Sequence, residues 1–197
     1  MSALLSPFKR LGGFVPYLAA TLMVAGMVHI ASVLAMPRLA PRDAFARISA
    51  LAPLYRMTLL APVAPQTSIF PFEDPATALA VCRYDLRQGP LRLEAALGPG
   101  RMILFSFHSR FGEVYYSMTD RVASHGALAV LVLTPDQLQN YEAADTGDER
   151  PKQLRIVSPS VRGFVLLRAL ARQPADMGRA RASLAAVSCA KTAAPAA

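Results

Sequence analysis

Side chains that could perform acid–base chemistry are concentrated between residues 108 and 125. The group comprises His108, Arg110, Glu113, Asp120 and His125. A histidine beside a carboxylate can act as a general acid and base or bind a metal ion. The spacing matches no defined ligand set, however, and a polar strand end followed by a turn explains the same residues. We therefore retain His108, Asp120 and His125 as candidate catalytic residues and assign neither a metal nor a cofactor.

Two other groups of side chains carry weaker chemical signals. The run Asp145-Thr146-Gly147-Asp148-Glu149 is rich in oxygen ligands, but it lacks the alternating pattern of a calcium loop and is typical of a solvated acidic loop. Three tyrosines, Tyr115, Tyr116 and Tyr141, could form a platform for a sugar or peptide, although strands are enriched in aromatic residues for packing alone. The chain contains none of the usual hydrolase, metalloprotease, P-loop, Cys-x-x-Cys or dinucleotide motifs. No activity follows from its motifs.

Residues 11–36 form an uncharged, strongly apolar segment that decides how the rest of the chain is interpreted. The 20 residues 17–36 alone suffice to cross an apolar layer of about 30 Å as a helix. A cleaved signal peptide is the alternative, because Lys9 and Arg10 form a basic start and Val33-Leu34-Ala35 resembles a cleavage site. The apolar run exceeds the usual length of about 7 to 15 residues in signal peptides, which favours an uncleaved transmembrane helix.

The charge of the chain is strongly basic but not clustered. The net charge is +8, with 18 Arg and three Lys. Such a balance can indicate nucleic-acid binding. The arginines are scattered singly, and no nucleic-acid-binding motif accompanies them. We therefore expect inner-membrane lipid as a partner, through attraction to anionic headgroups, and no nucleic acid.

The chain divides into five segments. We expect a short cytoplasmic tail at residues 1–10 and the transmembrane helix at 11–36. A linker with seven prolines and a short helix at 43–52 follows at 37–75. The folded domain spans 76–190, and a flexible tail spans 191–197. Within the domain, short apolar or alternating runs separated by Gly, Pro and Asp predict strands at 78–86, 91–97, 102–109, 114–121, 127–134, 154–158 and 163–170. A long polar loop at 135–153 and a helix at 177–187 complete the domain.

The regular spacing of these runs predicts the fold. Intervals of about 8 to 13 residues between turns are typical of antiparallel sandwiches and barrels. In the strand at 102–109, alternation places Ile103, Phe105 and Phe107 on the core face. The fold class is therefore mainly β: a transmembrane helix followed by a small antiparallel, jelly-roll-like β-sandwich with a C-terminal helix.

Residues 91–171 resemble a bacterial family, the domain of unknown function 1254. The resemblance rests on RMILFSFHSRFGEVYYSMTDR and on LRIVSPSVRGFVLLRALA, which contains Ser158, Pro159, Ser160 and Arg168. It implies a β fold and a location in the cell envelope, because similar full-length proteins are larger and usually exported. The family provides no catalytic residues that can be transferred.

The resemblance bears on the orientation of the membrane span and on the pairing of the two cysteines. Lys9 and Arg10 flank one end of the span, whereas Arg38, Arg42 and Arg47 flank the other, so the basic residues alone nearly balance. The family's usual export favours a periplasmic C-terminal domain. We then expect the two cysteines, Cys82 and Cys189, to form a disulfide between the ends of the domain. One buried and one exposed thiol is the alternative.

These observations predict a single-span inner-membrane protein with a periplasmic domain that serves as a binding or assembly module, with an envelope protein as a further partner. The alternative is an envelope enzyme that uses His108, Asp120 and His125.

Overall fold

The first unit of the protein is a long apolar helix. The computed structural model describes residues 6–39, 43–63, 73–97, 102–123, 126–144 and 153–193. Two compact units, Met1–Pro41 and Arg42–Ala197, are distinguished. Helix α1 (Ser6–Leu39) contains the segment Gly13–Met36, whose mean hydropathy of 2.0 and length of 24 residues suffice to cross a membrane. A signal sequence near the N-terminus would satisfy the same criterion.

In its described residues, the second unit contains two β-sheets and three α-helices. The helices are α2 (Ala44–Leu51), α3 (Pro135–Ala144) and α4 (Met177–Ala185). The strands are β1 (Thr58–Leu59), β2 (Thr77–Asp85), β3 (Leu91–Ala96), β4 (Ile103–Ser109), β5 (Val114–Thr119), β6 (Ala127–Leu133), β7 (Leu154–Val157), β8 (Arg162–Leu170) and β9 (Ser188–Lys191). The first sheet has the order β1-β2-β8-β4-β5 and is antiparallel, and the second has the order β7-β6-β3-β9, in which β6 and β7 run parallel. This arrangement confirms the mainly β, sandwich-like fold.

The main core lies between the inner faces of the two sheets. Ile103, Phe105 and Phe107 of β4 are at most 1% exposed and belong to this core, as their alternation predicts. Burying each side chain of this size stabilises the fold by about 1.5 to 3 kcal/mol. A disulfide joins Cys82 of β2 to Cys189 of β9 across a Cα–Cα distance of 6.5 Å, so it links the first sheet to the second. The predicted cysteine pairing is therefore confirmed.

Helix α2 covers part of the outer face of the first sheet. Phe45 and Ile48, three residues apart on the helix, pack against apolar side chains of β2 and β8. The complete outer cluster is Phe45, Ile48, Ala52, Leu60, Val81, Phe164 and Leu166. Asp43 caps the start of the helix by accepting a hydrogen bond from the Ala46 amide at 2.7 Å. The helix predicted at 43–52 is present, and it packs onto the domain.

The segments predicted as linker, loop and tail also contain strands and a helix that the sequence did not predict. Strand β1 lies within 37–75 and pairs with β2. Helix α3 occupies the first part of the polar region 135–153. It begins with a capping box: Thr134 Oγ1 accepts from the Gln137 amide at 3.2 Å, and Gln137 Oε1 accepts from the Thr134 amide at 3.0 Å. Lys191 extends β9, which pairs with β3.

Candidate binding pocket

A pocket opens on the outer face of the first sheet beside α2. Its volume is about 410 Å³, within the range of about 300 to 1,000 Å³ that is usual for small-molecule sites. Its walls come from α2, from the outward-facing residues of β2 and β8, and from the end of β4. The lining residues are Ala44, Ile48, Glu73, Asp74, Thr77, Leu79, His108, Gly112, Phe164, Leu166 and Arg168. The pocket is therefore an apolar cleft with a polar, charged rim.

His108 is a buried polar side chain in the pocket wall. It lies near the end of β4, is only 9% exposed, and its ring stacks on Phe164 with a centroid distance of 4.6 Å and an interplanar angle of 7°. Its Nδ1 lies 3.0 Å from the carbonyl oxygen of Gly112. Because a carbonyl oxygen can only accept, Nδ1 carries the proton and Nε2 of the neutral ring is an acceptor. This Nε2 is buried and has no hydrogen-bond partner among the residues that the structure describes.

The surroundings of His108 favour the neutral ring. Burial lowers the pKa of His108 below its ordinary value of 6.5, and the nearby positive charge of Arg168 lowers it further. The hydrogen bond with the Gly112 carbonyl raises the pKa of His108, but this effect is smaller than that of burial. At neutral pH the ring is therefore neutral, and its unprotonated Nε2 lies buried beneath the pocket wall.

The turn between β4 and β5 determines the orientation of His108. Gly112 adopts φ +84°, a left-handed conformation that glycine accepts readily. The turn is closed by bonds from the Ser109 amide to the Glu113 carbonyl at 2.8 Å and from the Gly112 amide to the Ser109 carbonyl at 3.1 Å. The register of β4 and β5 also shifts between Phe107 and His108. Together these features place the Gly112 carbonyl opposite Nδ1.

The rim of the pocket carries charges of both signs. Arg168 of β8 is exposed, and Asp74 lies on the approach to β2. The Asp74 carboxylate accepts hydrogen bonds from the Ala76 amide at 2.9 Å and from the Thr77 hydroxyl at 3.2 Å. Glu73 lines the same side. Since positive and negative groups are both present, net charge alone does not select a ligand here.

Two arginines hold α2 in position as one wall of the pocket. Arg110 donates to the Asp43 carboxylate at 3.0 Å, and its guanidinium lies 4.7 Å from the centre of the Phe45 ring. At the other end of the helix, Arg83 donates to the carbonyl oxygens of Ser49 at 2.9 Å and Ala52 at 2.8 Å. Arg110, a member of the sequence-predicted group, therefore anchors the start of α2.

A buried network of hydroxyl groups supports the main chain of His108 from the core side. The hydroxyl of Tyr84 lies 3.2 Å from the His108 carbonyl oxygen, 2.9 Å from the Tyr115 hydroxyl and 3.1 Å from the Ser158 hydroxyl. Burial raises the pKa of Tyr84 well above its ordinary range. A Cβ at Gly163 would overlap both the Tyr84 hydroxyl and the His108 carbonyl, so this position requires glycine. Sequence reasoning missed Tyr84, although a tyrosine in an otherwise apolar strand is a signal for a buried hydrogen bond.

Asp120, another sequence-predicted site residue, lies apart from His108. His108 pairs with Val114 across the hairpin, and Asp120 lies six residues beyond Val114. At the usual rise per residue this is a separation of about 20 Å. Glu113 is exposed at the turn, and His125 lies outside the described residues. The hairpin therefore does not bring Asp120 to His108.

The three predicted platform tyrosines lie on two different elements. Tyr115 and Tyr116 are neighbours on β5, whereas Tyr141 lies on α3 and donates to the Ala193 carbonyl at 2.9 Å. The acidic run 145–149 lies outside the described residues. In the part of the chain that the structure describes, no group of three or more His, Cys, Asp or Glu residues could hold a metal ion.

The architecture combines an apolar N-terminal helix long enough to cross a membrane with a β-sandwich domain that carries a pocket on its outer face. Residues 57–191 match the family described as protein of unknown function (DUF1254). The chain belongs to this family, as the sequence resemblance indicates. A comparison with curated proteins finds no match.

Two crystal structures are similar to the chain. The VPA0106 protein from Vibrio parahaemolyticus is 11% identical, with a TM-score of 0.47 over 71% of this chain and 30% of that one. An uncharacterised protein from Burkholderia cenocepacia is 12% identical, with a TM-score of 0.46 over 80% of this chain and 45% of that one. The chain thus spans less than half the length of either protein.

Proposed function

We propose that this protein is a single-span inner-membrane protein whose domain serves as a binding or assembly module in the periplasm, with the pocket beside α2 as its binding site. The observation that carries the proposal is the pocket itself. It combines apolar walls with the buried imidazole of His108, whose Nε2 has no hydrogen-bond partner among the described residues, and such a combination of apolar surface and few polar groups is typical of ligand sites.

The geometry around His108 favours binding over acid–base catalysis. A catalytic histidine is usually oriented by a carboxylate that stabilises its protonated form. Here Nδ1 faces a backbone carbonyl, and burial and Arg168 oppose protonation. Asp120 lies at the far end of the hairpin. The alternative, an envelope enzyme that uses His108, Asp120 and His125, therefore lacks an acid–base pair between His108 and Asp120.

Two observations support the proposed location. Helix α1 has the length and hydropathy of a membrane span. The disulfide between Cys82 and Cys189 is of a kind that persists in oxidising compartments such as the periplasm. Anchoring by α1 would hold the domain at the membrane surface, where its excess of arginine would be attracted to anionic lipid.

A pair of tryptophan substitutions on α2 tests the binding proposal. Ala44 is exposed and lines the pocket, whereas Ala50 is exposed on the same helix and does not line it. The full chain, crosslinked in membranes and purified in detergent, would be analysed by mass spectrometry for bound molecules. We expect Ala44→Trp to lose molecules that Ala50→Trp and the wild type retain.

A third variant separates binding from catalysis. Asp120→Asn should retain the same bound molecules and the same cellular function as the wild type, because Asp120 is remote from the pocket. An enzyme that uses Asp120 would lose its function in this variant. Identical molecules on Ala44→Trp and Ala50→Trp would reject the pocket as the binding site.

A further inference from the structure

The Nε2 nitrogen of His108, which has no partner in the part of the chain that the structure describes, restricts the chemistry of a ligand that would pair with it. Nδ1 is committed to the Gly112 carbonyl at 3.0 Å, so the proton of the neutral ring is on Nδ1. Nε2 can then accept a hydrogen bond but cannot donate one. A ligand that satisfies Nε2 must bring its own proton, as a hydroxyl or an N–H group does, whereas an anionic oxygen cannot.

The walls around His108 add an apolar requirement. Phe164 stacks on the imidazole, and Ile48, Leu79 and Leu166 line the remaining wall. A flat ring or a compact aliphatic group would bury apolar surface against these side chains. The charged groups Arg168, Asp74 and Glu73 lie on the rim, where they meet the solvent-facing end of a bound molecule.

We propose that the pocket binds a neutral, ring-sized apolar group that donates a hydrogen bond from a hydroxyl or N–H to Nε2 of His108. This inference rests on the proposed function and specifies its ligand class. Because Nε2 is buried, the donor reaches it through a small shift of a pocket-lining side chain, which is common on binding. Binding then satisfies a buried acceptor that has no partner among the described residues, and leaving such a group unpaired is costly.

Phenol and anisole form a matched pair of probes, because they share an aromatic ring and differ in the hydroxyl proton. The experiment uses the full chain in detergent, with ¹⁵N-labelled histidine and nuclear magnetic resonance of the ring nitrogens. We expect a neutral ring protonated on Nδ1, and a Nε2 resonance that moves on addition of phenol but not of anisole. Phenol should bind at least about fivefold more tightly than anisole.

His108→Phe provides the control, since it keeps a ring to stack on Phe164 and removes Nε2. This variant should bind phenol and anisole equally, which also corrects for partition of the probes into detergent. Equal affinities of the wild-type chain for the two probes, or a ring protonated on Nε2, would overturn the inference. Both results are read on the wild type, so they do not depend on the folding of the variant.

The two proposals fail in different ways. Loss of bound molecules in Ala44→Trp together with equal phenol and anisole affinities would reject this ligand class and keep the binding function. A preference for phenol together with identical molecules on Ala44→Trp and Ala50→Trp would reject the pocket as the binding site in the cell. The hydrogen-bond preference of His108 Nε2 would still stand.

Discussion

Removal of the disulfide should cost the domain a large part of its stability. Cys82 and Cys189 are separated by 107 residues and join the two sheets of the sandwich. In the chain-entropy account, closing a loop of this length restricts the unfolded chain by about 4.8 kcal/mol at 25 °C. Small domains are stable by only about 5 to 15 kcal/mol in total. The Cys82→Ala/Cys189→Ala variant should therefore lie close to the limit of folding.

Urea unfolding of the full chain in detergent, followed by near-ultraviolet circular dichroism of the tyrosines, measures this loss. With a urea dependence of about 2 kcal/mol per molar, the midpoint should fall by about 2 M. Reduction of the wild type should shift the midpoint by a similar amount, and either single Cys→Ala substitution should match the double variant. A double variant within about 1 kcal/mol of the oxidised wild type would refute the reasoning, because the entropic effect would then be absent or offset.

Three further predictions concern the core and the pocket. Phe105→Ala should destabilise the domain by about 3 to 5 kcal/mol in the same urea assay, since Phe105 is fully buried between the sheets; a loss below about 1 kcal/mol would contradict its place in the core. Gly163→Ala should cost about 1 to 3 kcal/mol or more through overlap with the Tyr84 side chain and the His108 carbonyl. Tyr84→Phe removes only the overlap with the hydroxyl, so it should recover part of that cost in a double-mutant cycle, whereas additive losses would exclude a contribution from the hydroxyl. The pKa of His108 is lowered in the folded state, so protonation favours the unfolded state; the stability is fully present above about pH 6.5 and falls as the pH drops below it. Urea unfolding at pH 7 and pH 5 should show a smaller loss of stability for His108→Phe than for the wild type. An equal loss in both proteins would assign the effect to other groups.

Local patterns were sufficient to predict strands β2 to β8, but not the short edge strands β1 and β9. Alternation identified Ile103, Phe105 and Phe107 as core residues, and glycine and proline marked the turns between the strands. These signals depend on neighbours within about ten residues, so a single sequence contains them. The start of α3 was missed for a different reason. Thr134 and Gln137 form a capping box, which is a readable local signal, but the polar composition of 135–153 obscured it.

The pocket could not be predicted because it depends on contacts between distant parts of the chain. His108 stacks on Phe164, and α2 reaches the same face from a proline-rich segment more than 50 residues away from His108. The distance of Asp120 from His108, in contrast, follows from hairpin geometry once the turn is placed at Gly112. Residues equally far from the turn pair with each other, so Thr119, the neighbour of Asp120, pairs with Leu104 near the start of β4, and His108 pairs with Val114.

The orientation of the domain is tested most directly by paired reporter fusions after Ala197. The proposal of a periplasmic binding module predicts an active alkaline phosphatase fusion and an inactive cytoplasmic reporter at the same position, with the fused protein retained in the membrane fraction. An inactive phosphatase together with an active cytoplasmic reporter would contradict it.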